Sequence, residues 1–364
     1  MERLFLFNPE NDIALADGKA GFTPPKNAAA LHRCGAMLLW WLGGPADAVL
    51  VDERDIRLSG AYAADMAARF GDGPRIVGSL GEGVERCYTP WGWSRNTLRQ
   101  FERAGASFPP AEAERMDRLR QLSHRRVSID INRSLSEAGI GEFPPLPREA
   151  TDTSAIMSAI DDWGTVYVKA PWSSTGRGVV CSADMSLAEL MRRSEGTIKR
   201  QGSVMVEKAM DKEADFAMLF CSEDGAVRFI GYSLFFNGHG SAYGGNLLLD
   251  DDEIECVLSE FVPTGVLRRI ADTLEETLGR MVAADYQGVF GVDMMICRDG
   301  TGGFIVAPCV ELNLRLTMGY VAHRLARRFR GYGYGRLVVG PASAAGGDSL
   351  WLVPRNDSYF IGLV

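Results

Sequence analysis

Apolar and polar positions fall into two patterns along this chain. Short, nearly unbroken apolar runs mark buried strands at residues 4–7, 48–51, 75–77, 165–169, 178–181, 203–210, 215–221, 227–236, 289–297 and 304–312. Between them, apolar residues recur at helical spacing. Leu31, Cys34, Leu38 and Trp41 predict one helix that starts near Pro24-Pro25 with Thr23 as its cap. Further helices are expected over residues 59–70, 108–120 and 186–200, the last with Leu187, Leu190 and Met191 on its apolar face. Another carries Ile129, Ile131 and Leu135, a long one over 265–284 buries Ile270, Leu274, Leu278 and Met281, and a basic one spans 319–329. Strand then helix, repeated in the first third, is the pattern of a parallel doubly wound sheet, which binds ligands at the carboxyl ends of its strands. There is no internal repeat, and the tail beyond Pro341 carries no pattern that names a function.

Four polar stretches interrupt this order. Asn8-Pro9-Glu10-Asn11-Asp12 follows the first strand and reads either as an Asx-rich turn with a helix cap or as a substrate loop. Thr89-Pro90-Trp91-Gly92-Trp93-Ser94 holds two tryptophans fit for packing or for a ligand. Residues 237–246, with His239, Tyr243 and Asn246, form a glycine-rich loop, and residues 250–253 are an acidic helix start.

The stretch from Gly288 to Arg315 is the most informative. It predicts two strands joined by a turn at Arg298-Asp299-Gly300. Asp293 lies inside the first, and Glu311 and Asn313, two apart, share one face of the second. If the strands pair antiparallel, three oxygen ligands converge, which suits a hard divalent ion with phosphate oxygens completing its shell. Arg315, two places on, suits an anion held beside that ion.

Length and charge narrow the classes. The 364 residues bury a sizeable core in two to three domains, and 46% apolar with 24% charged residues is an ordinary globular balance. A net charge of −8 argues against non-specific binding to nucleic acid or an anionic membrane surface. The amino terminus is not patterned as a signal peptide, and no apolar run reaches the roughly 20 residues needed to span a bilayer. Seven scattered cysteines, never in CxxC spacing, fit core thiols in a reducing cytoplasm, and four dispersed histidines make a zinc site unexpected.

Val310-Glu311-Leu312-Asn313-Leu314-Arg315, with Asp293 upstream, resembles the metal-binding end of the ATP-grasp superfamily. That family ordinarily has proline where this chain has Leu314. Upstream residues extend the resemblance in the family's order. Arg125 stands where a phosphate-contacting lysine is usual. Lys169 closes a strand before a Ser/Gly-rich loop of Ser173, Ser174, Thr175 and Gly176, and Arg177 in that loop either touches phosphate or is solvated. Glu207, Lys208, Ala209 and Met210 match the hinge that meets adenine, and Glu213 the ribose contact.

The resemblance implies an α/β chain with a Rossmann-like pre-ATP-grasp domain over residues 1–122. A small lobe over 123–202 and a large lobe over 203–364 would follow. It implies ATP and Mg²⁺ (Mn²⁺ as a substitute), with Asp293, Glu311 and Asn313 as metal ligands and Lys169 and Arg315 as catalytic groups. The reaction implied joins a small-molecule carboxylate to an amine or thiol through an acylphosphate, releasing ADP and phosphate. An ATP-grasp kinase and a nucleotide-binding regulator without turnover are the alternatives, and a homo-oligomer is compatible with all three.

Overall fold

The computed structural model describes residues 1–81, 83–173, 178–238 and 243–364. It divides into two compact units. The first comprises residues 1–120, 236–250 and 315–364, and the second residues 121–235 and 251–314.

The chain opens with β1 (Glu2–Leu6), α1 (Asn11–Asp17) and α2 (Lys26–Gly35), followed by a 3₁₀ segment, Ala36–Leu42. Then come β2 (Ala48–Leu50), α3 (Ile56–Phe70), β3 (Arg75–Val77), β4 (Arg86–Pro90), α4 (Arg95–Arg103) and α5 (Ala111–Leu122). The four strands form one parallel sheet in the order β3-β2-β1-β4. Its core gathers Leu4, Leu6, Ala48, Leu50 and Phe101.

Three expectations are corrected here. The single helix expected from Pro24 to Trp41 is α-helical only to Gly35 and continues as the 3₁₀ segment Ala36–Leu42, every residue of which is buried. Thr23 does not cap it; the residue before α2 is Pro25, with no side-chain cap. The polar loop after β1 turns into α1 at once. Pro90 ends a strand at the sheet's edge, where a missing N–H is tolerated.

The second unit continues with α6 (Val127–Glu137), β5 (Arg148–Ala150), α7 (Thr153–Trp163), β6 (Val166–Lys169), β7 (Val179–Cys181), α8 (Leu187–Gln201) and β8 (Val204–Lys208). The strands make an antiparallel sheet in the order β5-β8-β6-β7. One face packs on α7 and α8 through Ile156, Val166, Val168, Leu190, Val204 and Val206. Leu187, expected on the buried face, is instead 47% exposed in the first turn of α8, one turn before Leu190 engages the sheet.

β9 (Lys212–Glu223) and β10 (Ala226–Asn237) follow as a hairpin whose turn, Asp224-Gly225, has positive φ at both residues (51° and 76°). That geometry matches the twist of the flanking strands and favours an Asp-Gly pair. After β11 (Tyr243–Leu247) come α9 (Asp251–Ser259), α10 (Thr264–Val282), β12 (Gly288–Arg298) and β13 (Phe304–Asn313). In this unit the strands run antiparallel in the order β13-β12-β9-β10, with α10 packed on β9 and α6 on β13.

The chain ends with α11 (Met318–Arg328), β14 (Arg336–Pro341), β15 (Leu350–Trp351) and β16 (Tyr359–Leu363). These belong to the first unit. The buried Trp41 Nε1 donates to Leu352 O at 2.9 Å, and Tyr62 Oη donates to Trp351 O at 3.0 Å. Of the cysteines, Cys181, Cys297 and Cys309 are buried, whereas Cys87 and Cys256 are exposed rather than core thiols. Among the described residues no helix is long and apolar enough to cross a membrane.

The entry to β2 is fixed to β1 by charge. Asp47, 6% exposed, accepts from the Arg3 guanidinium at 2.6 Å, from the Arg3 N–H and from the Gly44 N–H. Burial pushes the Asp47 carboxyl up, but these donors outweigh it and hold it below the usual carboxylate range. A lowered folded value stabilises above the unfolded value and is lost as pH falls through the folded one. Asp47→Asn is therefore expected to cost about 1–2 kcal/mol at pH 7. In urea titrations its deficit against the parent should start to shrink as the pH falls below the unfolded carboxylate value of about 3.9 and close only below the lower folded value. A deficit that does not shrink at all below about pH 3.9 would assign the loss to packing.

Candidate functional site

Within the second unit, β12 and β13 place two carboxylates face to face. Asp293 pairs directly with Glu311 in the antiparallel register, and Gly291 pairs with Asn313. Directly opposed residues point to one side of a sheet, so Asp293 and Glu311 share a face. With no side chain at Gly291, room is left beside the Asn313 amide. Just past this point the register shifts: β12 advances from Asp293 to Met295 while β13 moves from Glu311 to Ala307. The extra length holds Pro308, which cannot donate to a ladder and suits a bulge.

The basic residues expected here are present and committed. Arg125 is 7% exposed. Its guanidinium donates to Glu311 Oε2 at 2.6 Å and, through one nitrogen, to Ala170 O and Ser173 Oγ, both at 2.7 Å. Lys169, 8% exposed, donates to Glu207 Oε2 at 2.6 Å. Arg125, Ser173 and Glu311 are thus joined, as are Lys169 and Glu207.

Cys309 is buried in the same strand as Glu311. Burial pushes its thiol up, the charges of Asp293, Glu207 and Glu311 push it further, and Lys169 pulls the other way. Sequence reasoning had treated Cys309 only as a core thiol; its place two residues before Glu311 was the available signal.

The other expected residues lie apart. Lys208 is exposed at the end of β8. The Ala209 N–H is taken by Thr165 O at 2.9 Å, so it cannot serve as a hinge donor while that bond stands. Met210 follows, partly buried. Glu213 is paired with Arg298 at the open ends of β9 and β12. It lies four residues from Ala217, the partner of Asp293, or about 13 Å along the strand. Ser174, Thr175, Gly176, Arg177 and His239 lie outside the described residues. Among those described, no three His, Cys, Asp or Glu side chains gather as a metal site. The donor set here is two carboxylates and an amide, which fits an ion completed by phosphate oxygens better than an all-protein cage.

A second polar cluster occupies the first unit. β1 and β4 run parallel with Leu6 beside Pro90, so the loops that leave them start side by side. Asn8, 1% exposed, donates to Gly92 O (2.8 Å) and Thr97 Oγ1 (3.0 Å), and the Gly92 N–H donates back to Asn8 Oδ1 at 3.1 Å. Asn11, with its amide turned so that Nδ2 faces them, donates to Gly92 O, Trp93 O and Ser94 Oγ at 3.1–3.3 Å. Glu10, 2% exposed, meets His32 Nδ1 at 3.0 Å and accepts from Gln100 at 3.2 Å. The two tryptophans are packed inside this unit, Trp91 edge-on to Phe7 and Trp93 under the Arg115 guanidinium.

Arg315 belongs to this cluster. Its backbone bridges to Gly92, and the next N–H, from Leu316, donates to Trp91 O at 2.8 Å. Its guanidinium donates to both oxygens of Asp12 at 3.1 Å. The loops at residues 8–12 and 91–94, which the sequence offered as separate candidates, are one bonded assembly around Arg315.

No protein-family model matches the sequence, and no curated protein matches it. Solved structures are similar to the chain at low identity. N5-carboxyaminoimidazole synthetase from Staphylococcus aureus, complexed with ADP, superposes at a TM-score of 0.52 and 12% identity, covering 100% of this chain and 92% of that one. Biotin carboxylase from Campylobacter jejuni gives 0.49 and 13%, covering 99% and 86%. D-alanyl-alanine synthetase A from Vibrio cholerae gives 0.46 and 11%, covering 92% and 94%. Only the first score speaks for a shared fold.

The close approach at Gly92 gives a direct test of the first-unit cluster. A Cβ there would stand 2.4–2.5 Å from atoms of the Asn11 amide. Gly92→Ala should cost about 2 kcal/mol by overpacking and lower Tm by about 4–8 °C. An unchanged melting curve in differential scanning calorimetry would mean that the Asn11 contact is loose.

Proposed function

We propose that this chain, which carries the ATP-grasp fold, is a Mg-ATP-dependent ligase joining a small-molecule carboxylate to an amine or thiol through an acylphosphate. The observation that carries the reading is the direct pairing of Asp293 with Glu311, with Asn313 on the same strand and Arg125 bonded to Glu311. On this reading the parallel sheet is the Rossmann-like pre-ATP-grasp element of residues 1–122. Residues 123–202 supply the small lobe and 203–364 the large one.

Phosphoryl transfer asks the protein mainly for positioning and charge neutralisation. Asp293, Glu311 and Asn313 would hold Mg²⁺, which would supply charge neutralisation for the triphosphate. Lys169 would meet the α- and β-phosphates, its ammonium already oriented by Glu207. Arg125, with Ser173 and residues 174–176, would line the triphosphate. Glu207, Lys208 and Met210 remain the hinge for adenine, with Ala209 contributing through its carbonyl or side chain. Glu213, about 13 Å along β9 from the level of Asp293, would reach the ribose end of an extended nucleotide. Arg315 would face the transferring phosphoryl group or the acylphosphate, with Asp12 as the residue that orients its guanidinium. The first-strand loop would then present the second substrate beside that arginine.

Two measurements test this. Phosphorus NMR of the protein with Mg-ATP and a pool of amino acids, dipeptides and small acids should show ADP and free phosphate that depend on the pool. Asp293→Asn should abolish both while leaving Tm within a few degrees; retained turnover removes Asp293 from the metal site. Phosphate appearing on an organic product would make the chain a kinase. Arg315→Ala and Asp12→Ala should each reduce turnover about 100-fold or more, with the double variant no worse than the poorer single, because paired residues couple. Multiplicative losses would mean that Asp12 acts independently of Arg315.

A further inference from the structure

Strand β6 has a second face. Lys169 points to one side of the small sheet, and Val168 to the other, where α7 and α8 pack. On that α8 side lies a cavity of about 360 Å³. Its floor is Val168, Val180 and Val204, and its helix wall is Ser194 and Thr197.

The cavity has a local cause in the sequence of α8. The helix is anchored by Leu190, which is fully buried. One and two turns later, where an amphipathic helix would bury large apolar side chains, it carries Ser194 and Thr197. Each hydroxyl bonds back to its own helix, Ser194 Oγ to Leu190 O at 2.8 Å and Thr197 Oγ1 to Arg193 O at 3.2 Å. The helix therefore stands off the valines without leaving a buried hydroxyl unpaired.

The rim of the cavity is cationic. Arg192, Arg193 and Arg200 all border it. Arg193 is tied to Glu189 at 2.6 and 2.9 Å. Arg192 and Arg200 have no ion pair or hydrogen bond among the described residues. Arg200 lies across Gly196, its guanidinium 3.4 Å from where a Cβ would stand. Helix α8 carries four basic side chains against two acidic ones, Glu189 and Glu195, in a chain whose net charge is −8.

We infer that this cavity is a binding site for a small amphipathic anion, its apolar body resting on the three valines and its phosphate or carboxylate head held by Arg200 and Arg192. A volume near 360 Å³ lies within the range of small-molecule sites. An apolar floor with a few convergent polar groups is their usual lining, and the planar guanidinium forks match an oxyanion head. The cavity lies on the face of the sheet opposite Lys169, because neighbouring residues of one strand face opposite ways; Ala170 and Gly178, at the base of the Ser/Gly loop, close its end.

The test is isothermal titration of the full chain with hexyl phosphate, with inorganic phosphate and hexanol as the two half-probes. Hexyl phosphate should bind one to one, at least tenfold more tightly than either half. Arg200→Gln should weaken it about tenfold, as expected for one charge-assisted contact, and Arg192→Gln with Arg200→Gln should abolish it. Thr197→Leu and Ser194→Leu fill the cavity and should each remove binding; circular dichroism identifies whichever of them stays folded. Saturating Mg-ADP should leave the affinity unchanged. Equal binding of inorganic phosphate, indifference to the arginine variants, or competition by Mg-ADP would overturn the inference. None of these outcomes depends on the chain being a ligase, so failure here and failure of the catalytic reading are separable.

Discussion

Two carboxylates facing each other across an antiparallel pair is an arrangement that sheets ordinarily avoid, because like charges directly opposite destabilise the ladder. Asp293 and Glu311 stand in that relation. What makes it tolerable is positive charge close by. Arg125 supplies one part, and it is itself buried, so the ion pair matters as much to the arginine as to Glu311. The same guanidinium reaches Ala170 and Ser173, so one planar fork ties the chain just past β6 to the Glu311 carboxylate of β13. A lysine could not make these bonds together, since it offers a point charge in place of a fork. The remaining repulsion is what a bound divalent cation would relieve. Stability and the proposed chemistry therefore rest on the same unfavourable pair.

The hairpin of β12 and β13 was legible because each of its parts is local. The strands announce themselves by apolar runs, the turn by Asp299-Gly300, and the convergence of ligands by spacing. β6, β7, β8 and α10 were legible for the same reason, whereas β5 and α7 carry no run that announced them. Where the reading failed, the deciding contact was remote. Residues 8–12 looked like a turn because Asn, Asp and Pro favour turns, yet Asn11 opens a helix whose side chains are bonded to Gly92 and its neighbours. β4 carries Arg86, Cys87 and Pro90, a weak strand sequence that pairs only as an edge beside β1. The run from Ala36 to Leu42 fits a helical period on one face, yet it is a 3₁₀ segment buried throughout. Leu187 was assigned to the core by spacing alone, and the helix end leaves it exposed.

Arg315 shows how far apart the partners of one site can lie. It is 303 residues from Asp12, and no window of sequence joins them. The residues that select it are nonetheless simple. Asp12 falls in the first turn of α1, where a carboxylate suits the helix dipole. The Arg315 backbone is fixed by Gly92 and Trp91 before its side chain is placed. The chain passes from the second unit to the first between Leu314 and Arg315. Leu314 stands where proline is usual in proteins of this fold, and it is 5% exposed. A buried leucine fixes that crossing by packing, where proline would fix it by restricting φ. Asn313 and Arg315 are two residues apart in the chain, so their separation is bounded by backbone geometry alone. Within the first unit, Asp12 decides which way the arginine faces.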